Sequence, residues 1–317
     1  MELSFAPMEG VTYAAFRRLH AEMFPGADVY YAPFIAPDSA GHFKAGNLRD
    51  ILPENNVGIR VIPQLLCNAA APFISVAREL ADLGYREVNL NAGCPSGTVV
   101  AKHKGAGMLA DPAGLDACLA DIFEKSPLPV SVKTRLGMHS REEFPALLEV
   151  YRKYPLTRLI VHARDRDGMY KSAPDQDAFS AALCCPFPVE YNGNIFCRAD
   201  QTALEARFPT LGAVMIGRGA VTNPALFRML RGGNALTLEE LRQFHDRLVS
   251  AYLAEGLAPA YTAARMKELW FYQLCLFPGS EKAGKAILKA RSLPDYLAAV
   301  SALFASVPMD AAAIFNK

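Results

Sequence analysis

Along the first 217 positions, short apolar runs rich in β-branched and aromatic residues alternate with longer stretches whose apolar residues recur at helical spacing. The runs are LSFAPM (3–8), DVYYAPF (28–34), IRVIPQLL (59–66), YREVNLN (85–91), PVSVK (129–133), LTRLIVH (156–162), FPVEYN (187–192) and LGAVMIG (212–217). Each is followed by polar or glycine-containing residues. Helices are expected between them, for example over 70–83, 113–125, 141–153 and 199–207, with Asp111 before Pro112 as N-cap and first-turn proline. Eight such units suit a (β/α)8 TIM barrel, whose usual size is about 250 residues. A doubly wound open sheet is the alternative. Against it, no GxGxxG follows the first run, and polar residues follow most runs instead of gathering at one switch point.

The pattern changes at RGGN (231–234), and from Leu236 onward it is helical without strands. The expected organisation is a catalytic barrel over 1–234 and a small helical domain over 235–317. Leu241, Phe244, Leu248 and Tyr252 share one helix face, and Trp270 and Phe271 are expected in the core of the bundle.

With 317 residues, 51% of them hydrophobic, the chain can bury a large core and a smaller one. No apolar run reaches the roughly 18 residues that span a bilayer, and no signal peptide is visible, so a cytoplasmic protein with no membrane partner is expected. Seven cysteines, without a CxxC pair or a Cys/His cluster at ligand spacing, argue against a disulfide framework and against a metal site. A monomer suffices. The formal net charge of +1 leaves any nucleic-acid partner to local basic patches.

In a barrel, residues just past the strand ends converge on one mouth. Those positions hold Pro7, Met8 and Glu9, then Gln64, then Asn91 and Cys94, then Lys133 and Arg135, then His162 and Arg164, then Asn192, Gly193 and Asn194, then Gly217 and Arg218. Glycine amides beside Arg218 suit a phosphate. Gln64 and Lys133 can hydrogen-bond a planar heterocycle and stabilise negative charge on it. Together they suggest flavin mononucleotide (FMN).

These residues lie in stretches that resemble the tRNA-dihydrouridine synthases: APMEGVT (6–12), the strand carrying Gln64, NLNAGCPS (89–96), KGAGMLADP (104–112), VKTRLG (132–137), VHARDRDGMY (161–170), YNGNI (191–195) and MIGRGAVTNPALF (215–227). The resemblance runs through most of the barrel and implies an FMN enzyme that reduces the carbon 5–carbon 6 double bond of particular uridines in tRNA, with NADPH reloading the flavin. It makes Cys94 the proton donor. It gives Pro7, Met8, Glu9, Gln64, Lys133, His162, Asn192, Gly193, Asn194, Gly217 and Arg218 to the cofactor, Asn91 and Arg135 to the target uracil, and Arg164 and Tyr170 to the RNA path. The tail stretch ARMKELWFY (264–272) resembles the family's RNA-binding pattern, implying that Arg265 and Lys267 contact tRNA; Lys102, His103 and Lys104 form a second basic cluster, and Lys282, Lys285, Lys289 and Arg291 another stripe, which also reads as a solvated helix face.

Two positions depart from the family pattern: Ala163, where glycine is frequent, and Asn194, where an acid is frequent. Taken one by one, His20, His42, His139 and His245 and the other six cysteines read as packing residues. Two other classes of function are open at this point. One is an FMN barrel acting on a free small molecule, and the other is an RNA-binding protein with vestigial flavin chemistry.

Overall fold

The structure is a computed structural model that describes residues 1–38 and 40–315; Asn316 and Lys317, the end of the expected second domain, lie outside the described residues. The chain divides into two compact units. The first comprises Met1–Pro7, Val29–Asn194 and Phe208–Met215, and the second Met8–Asp28, Ile195–Arg207 and Ile216–Lys317.

The first unit carries an all-parallel sheet. Its strands are β1 (Glu2–Phe5), β2 (Val29–Tyr31), β3 (Val61–Ile62), β4 (Gln64–Leu65), β5 (Val88–Ala92), β6 (Val130–Arg135), β7 (Leu159–His162), β8 (Val189–Asn192) and β9 (Ala213–Ile216). Their order is β3-β2-β1-β9-β8-β7-β6-β5-β4. The two ends of that order, β3 and β4, are halves of one apolar run interrupted at Pro63. Proline has no amide to give to a ladder, and here its carbonyl still accepts from Asn89 N–H at 2.9 Å. The eight expected runs therefore make nine strands in a nearly closed TIM-type barrel.

Most strand residues are buried, and the polar ones among them, such as Asn89 and Glu190, are bonded to neighbouring side chains. Ala6, Val29, Tyr31, Ile62, Ile160 and Met215 form one core cluster. Helix Pro112–Lys125 starts as its sequence predicts, with the Asp111 carboxylate accepting from Gly114 N–H at 3.0 Å. The stretch after Arg141 differs from expectation: a short 3-10 turn, Arg141–Glu143, precedes a helix over Phe144–Tyr151.

Where β1, β7 and β8 begin, at the end of the barrel opposite the strand C-termini, charge is buried. The Glu190 carboxylate is inaccessible, pushed up in pKa by burial, and paired with Arg158 at 3.1 Å. Arg158 also bonds Glu2, and Arg60 links Glu2 and Glu87 at 3.8 and 3.7 Å.

The second unit is helical. Helix Leu238–Ala254 opens with a capping box between Thr237 and Glu240, and Arg228 holds the Glu240 carboxylate with two bonds of 2.7 and 3.0 Å. Its buried face, including Leu241, Phe244, Leu248 and Tyr252, is the one the spacing predicts. Phe244 packs edge-on against Phe16 and Phe24 at 5.5 and 5.4 Å, so the helix Ala14–Met23 belongs to this unit. Trp270 is buried and donates to the Tyr296 hydroxyl at 2.8 Å. Phe271 overturns the expectation of a core position: it is 47% exposed. Adjacent helix positions point about 100° apart, and Trp270 takes the inward direction. Among the described residues, no helix is long and apolar enough to cross a membrane.

Candidate active site

At the C-terminal ends of β4 to β8 the polar side chains interlock. The Asn91 side-chain oxygen accepts the backbone N–H groups of Gly93 and Cys94, at 3.0 and 2.9 Å. Its amide nitrogen donates to Gln64 at 2.7 Å, and Gln64 donates to Asn89 at 2.7 Å. Gln64 is wholly buried, and both of these bonds tie it to the neighbouring strand β5. Asn91, expected beside the uracil, shapes the turn that carries Cys94.

The rest of that turn is held from other elements. Arg135, buried on β6, donates from Nε to the Gly93 carbonyl at 2.8 Å and from Nη1 to the Asp165 carbonyl at 2.9 Å. The Cys94 carbonyl accepts from Ala106 N–H at 3.0 Å. Gly105 makes that approach possible. It sits at φ +57°, and a Cβ there would lie 2.8 Å from the Cys94 carbonyl oxygen and 2.9 Å from its Cβ. Neither Gly105 nor Ala106 was singled out in the sequence, although both lie in the stretch KGAGMLADP. Arg166, also not singled out, donates to the Pro95 carbonyl at 3.2 Å.

Lys133 on β6 is partly accessible, and its ammonium donates to the Asn192 side-chain oxygen at 2.9 Å. Asn192 is aimed by a second bond, to the Met215 carbonyl at 2.8 Å. Loss of water around Lys133, reinforced by the Arg135 guanidinium, draws its pKa down to about 7. Arg135, which holds the Gly93 carbonyl, lies on the same strand as Lys133, so the turn carrying Cys94 is fastened to the strand end that bears both side chains.

On β7 and its loop, Arg164 is buried and uses all three nitrogens: Nε to the Ser172 carbonyl at 2.7 Å, Nη1 with His162 Nε2 at 3.1 Å and Nη2 to Asn194 at 3.1 Å. A guanidinium can only donate, so neutral His162 carries its ring proton on Nδ1. Expected along the RNA path, Arg164 turns inward and orients two mouth residues. Asn194 serves it as a neutral acceptor in the position where an acid is frequent. Tyr170 is 42% exposed, with its ring 5.8 Å from the guanidinium carbons of both Arg135 and Arg164 and 5.7 Å from the His162 ring. Gly193 has no room for a side chain, since a Cβ would meet the Tyr191 hydroxyl at 2.3 Å.

The structure thus brings Gln64, Asn91, Cys94, Lys133, Arg135, His162, Arg164, Tyr170, Asn192 and Asn194 into one network of bonds and close approaches. Pro7 closes the segment that β1 opens. Met8, Glu9, Gly217, Arg218, Arg265 and Lys267 belong to the second unit. There Met8 N–H donates to Thr12 at 2.9 Å and Glu9 accepts from Tyr13 at 2.9 Å. Gly217 caps the short helix Arg218–Thr222, and the Arg218 guanidinium lies 5.8 Å from the rings of Phe196 and Phe315. Arg265 stacks on Tyr13 at 4.2 Å, with Tyr252 and Tyr261 each 5.2 Å away. Lys267 bonds the Ala290 carbonyl.

A family profile described as "Dihydrouridine synthase (Dus)" matches residues 4–257. The chain belongs to the dihydrouridine synthase family. Among its relatives, the probable tRNA-dihydrouridine synthase of Staphylococcus epidermidis is 30% identical over 231 residues, covering 70% of this chain and 69% of the relative. The probable tRNA-dihydrouridine synthase 2 of Bacillus subtilis is 28% identical over 262 residues, 80% of each. Among solved structures, the old yellow enzyme homologue of Zymomonas mobilis superposes with a TM-score of 0.53 at 13% identity, covering 74% of this chain and 90% of that one. Morphinone reductase superposes with a TM-score of 0.52 at 14% identity, covering 74% and 87%. At such identities these two speak for the barrel alone. The family profile extends past residue 235 into the helices that follow, so its match is not confined to the strand-bearing part of the chain.

Proposed function

We propose that this dihydrouridine synthase reduces the carbon 5–carbon 6 double bond of specific uridines in tRNA to dihydrouridine, with FMN as cofactor, NADPH as reductant and Cys94 as proton donor. The supporting observation is the turn 93–95, which Asn91 and Arg135 pin at the strand ends where β6 also carries Lys133.

The donor set fits the cofactor. Lys133 is a lysine with its charge disfavoured and a neutral amide as its hydrogen-bond acceptor, so an anionic ring edge would restore its ordinary basicity. His162, with its proton on Nδ1, and the Asn192–Gly193–Asn194 segment add further polar groups of the kind that hold a ribityl chain. Arg218 at the start of a short helix suits a phosphate. When bound, FMN supplies hydride to carbon 6 of the uracil. The remaining work belongs to the protein. Negative charge growing at carbon 5 and the adjoining carbonyl is stabilised by Arg135, and the Cys94 thiol delivers the proton to carbon 5. The base must leave its stack to reach a barrel mouth, which costs a few kcal/mol. Arg265, Lys267 and the exposed lysines at 282, 285 and 289 supply cationic groups for the RNA backbone.

A Cys94→Ala variant is expected to keep its flavin and its affinity for tRNA while dihydrouridine formation, measured by mass spectrometry of the tRNA, falls by about 10²- to 10⁴-fold. Undiminished product would remove the thiol from the mechanism.

A further inference from the structure

Three loops meet behind Cys94, and one side chain ties them together. Arg166 reaches back from the loop after β7 and donates from Nε to the carbonyl of Pro95, 71 residues earlier in the chain. Its Nη1 donates to Asp167 at 2.7 Å, and the other oxygen of Asp167 meets His139 Nδ1 at 2.9 Å. The backbones of Arg166 and Asp167 are stitched to the loop after β6, with Arg166 N–H on the Gly137 carbonyl at 2.9 Å and Asp167 N–H on the Met138 carbonyl at 3.2 Å. Glu143 fixes that loop in turn, accepting from Met138 and His139 N–H at 2.7 and 3.1 Å.

The Pro95 carbonyl is an effective place to hold. The proline ring locks its own φ, so only two soft backbone torsions separate that carbonyl from the Cys94 Cα. Asn91, Arg135 and Ala106 restrain the turn at residues 93 and 94, and Arg166 restrains it beyond Cys94. Arg166 is half-buried, but its partners Asp167 and His139 are exposed, and ion pairs of that kind contribute little to stability, whereas a misdirected proton donor is costly to catalysis.

Resting on the assignment of Cys94 as proton donor, we infer that Arg166 is a positioning residue whose guanidinium, braced by Asp167 and His139, sets the aim of the Cys94 thiol through the Pro95 carbonyl. It touches neither cofactor nor base and acts through the turn.

The test uses the flavin-loaded full chain with tRNA, in Arg166→Met, Arg166→Lys and Asp167→Asn variants, with Cys94→Ala in parallel. In Arg166→Met, kcat for dihydrouridine is expected to fall about tenfold while KM for tRNA stays within about twofold. Alkylation of Cys94 by iodoacetamide, followed by peptide mass spectrometry against the exposed Cys184 as internal reference, should change in rate. Arg166→Lys should recover part of both, and Asp167→Asn should reproduce both in weaker form even if the Met variant folds poorly. A rise in KM with kcat and the alkylation ratio unchanged would mark Arg166 as an RNA contact and overturn the inference, as would native values throughout. If Cys94→Ala is inactive while Arg166→Met is fully active, the brace alone fails. If Cys94→Ala still makes product, the thiol's role fails first and the inference falls with it.

Discussion

At the scale of single residues, Lys133 shows how the site is tuned. Loss of water and the nearby Arg135 draw its pKa down to about 7, so its charge is given up more readily than that of an ordinary lysine. An anionic ligand stabilises the charged form and raises that value. Flavin affinity is therefore expected to be highest below pH 7, where the lysine is already protonated, and to weaken as pH rises above 7 because binding then requires proton uptake. Titration of the apoprotein with FMN between pH 6 and 9, followed by flavin fluorescence, would show this slope, and Lys133→Met should flatten it. A native profile as flat as the variant's would separate Lys133 from the flavin. Residue identity at the mouth was legible in the sequence because each motif sits at the end of an apolar run. Residue partnership was not. Asn91 serves the Cys94 turn, and Arg164 serves His162 and Asn194, through contacts set by strand register that no local pattern encodes.

At the scale of elements, the strands were readable as apolar runs and helix Pro112–Lys125 from its Asp-Pro start. The division of one run at Pro63 was written in IRVIPQLL, since a proline within such a run has no ladder amide. The buried charge at the strand beginnings has no such signature: Glu2, Arg158 and Glu190 lie far apart in sequence and meet only when β1, β7 and β8 are in the same barrel. Arg158→Met would leave the wholly buried Glu190 without its cation, at a cost of about 3–5 kcal/mol in urea unfolding at pH 7. The burial-raised pKa of Glu190 fixes the sign: the loss should shrink as pH falls and the carboxyl takes up a proton. Adding Glu190→Gln should return much of the stability. An Arg158→Met protein as stable as the native one would show that the pair is dispensable.

At the scale of the whole molecule, the second unit is assembled from three separated stretches of chain. Composition announced its last stretch through the glycines at 232 and 233 and the run of helices beyond; nothing local announced that the helix Ala14–Met23 packs with them. Phe244, 1% exposed, is the hinge of that packing through Phe16 and Phe24. Phe244→Ala is expected to cost about 3–5 kcal/mol by chemical denaturation, and a chain ended at residue 234 should yield little soluble protein because both partner rings lose their cover. A well-folded 1–234 fragment would contradict this. What so much scaffolding leaves to Cys94 is a single bond. With the main chain fastened on either side, the sulfur can move only by turning about Cα–Cβ, which offers three staggered wells; delivery of a proton becomes a choice among three headings, of which the barrel needs to reward one.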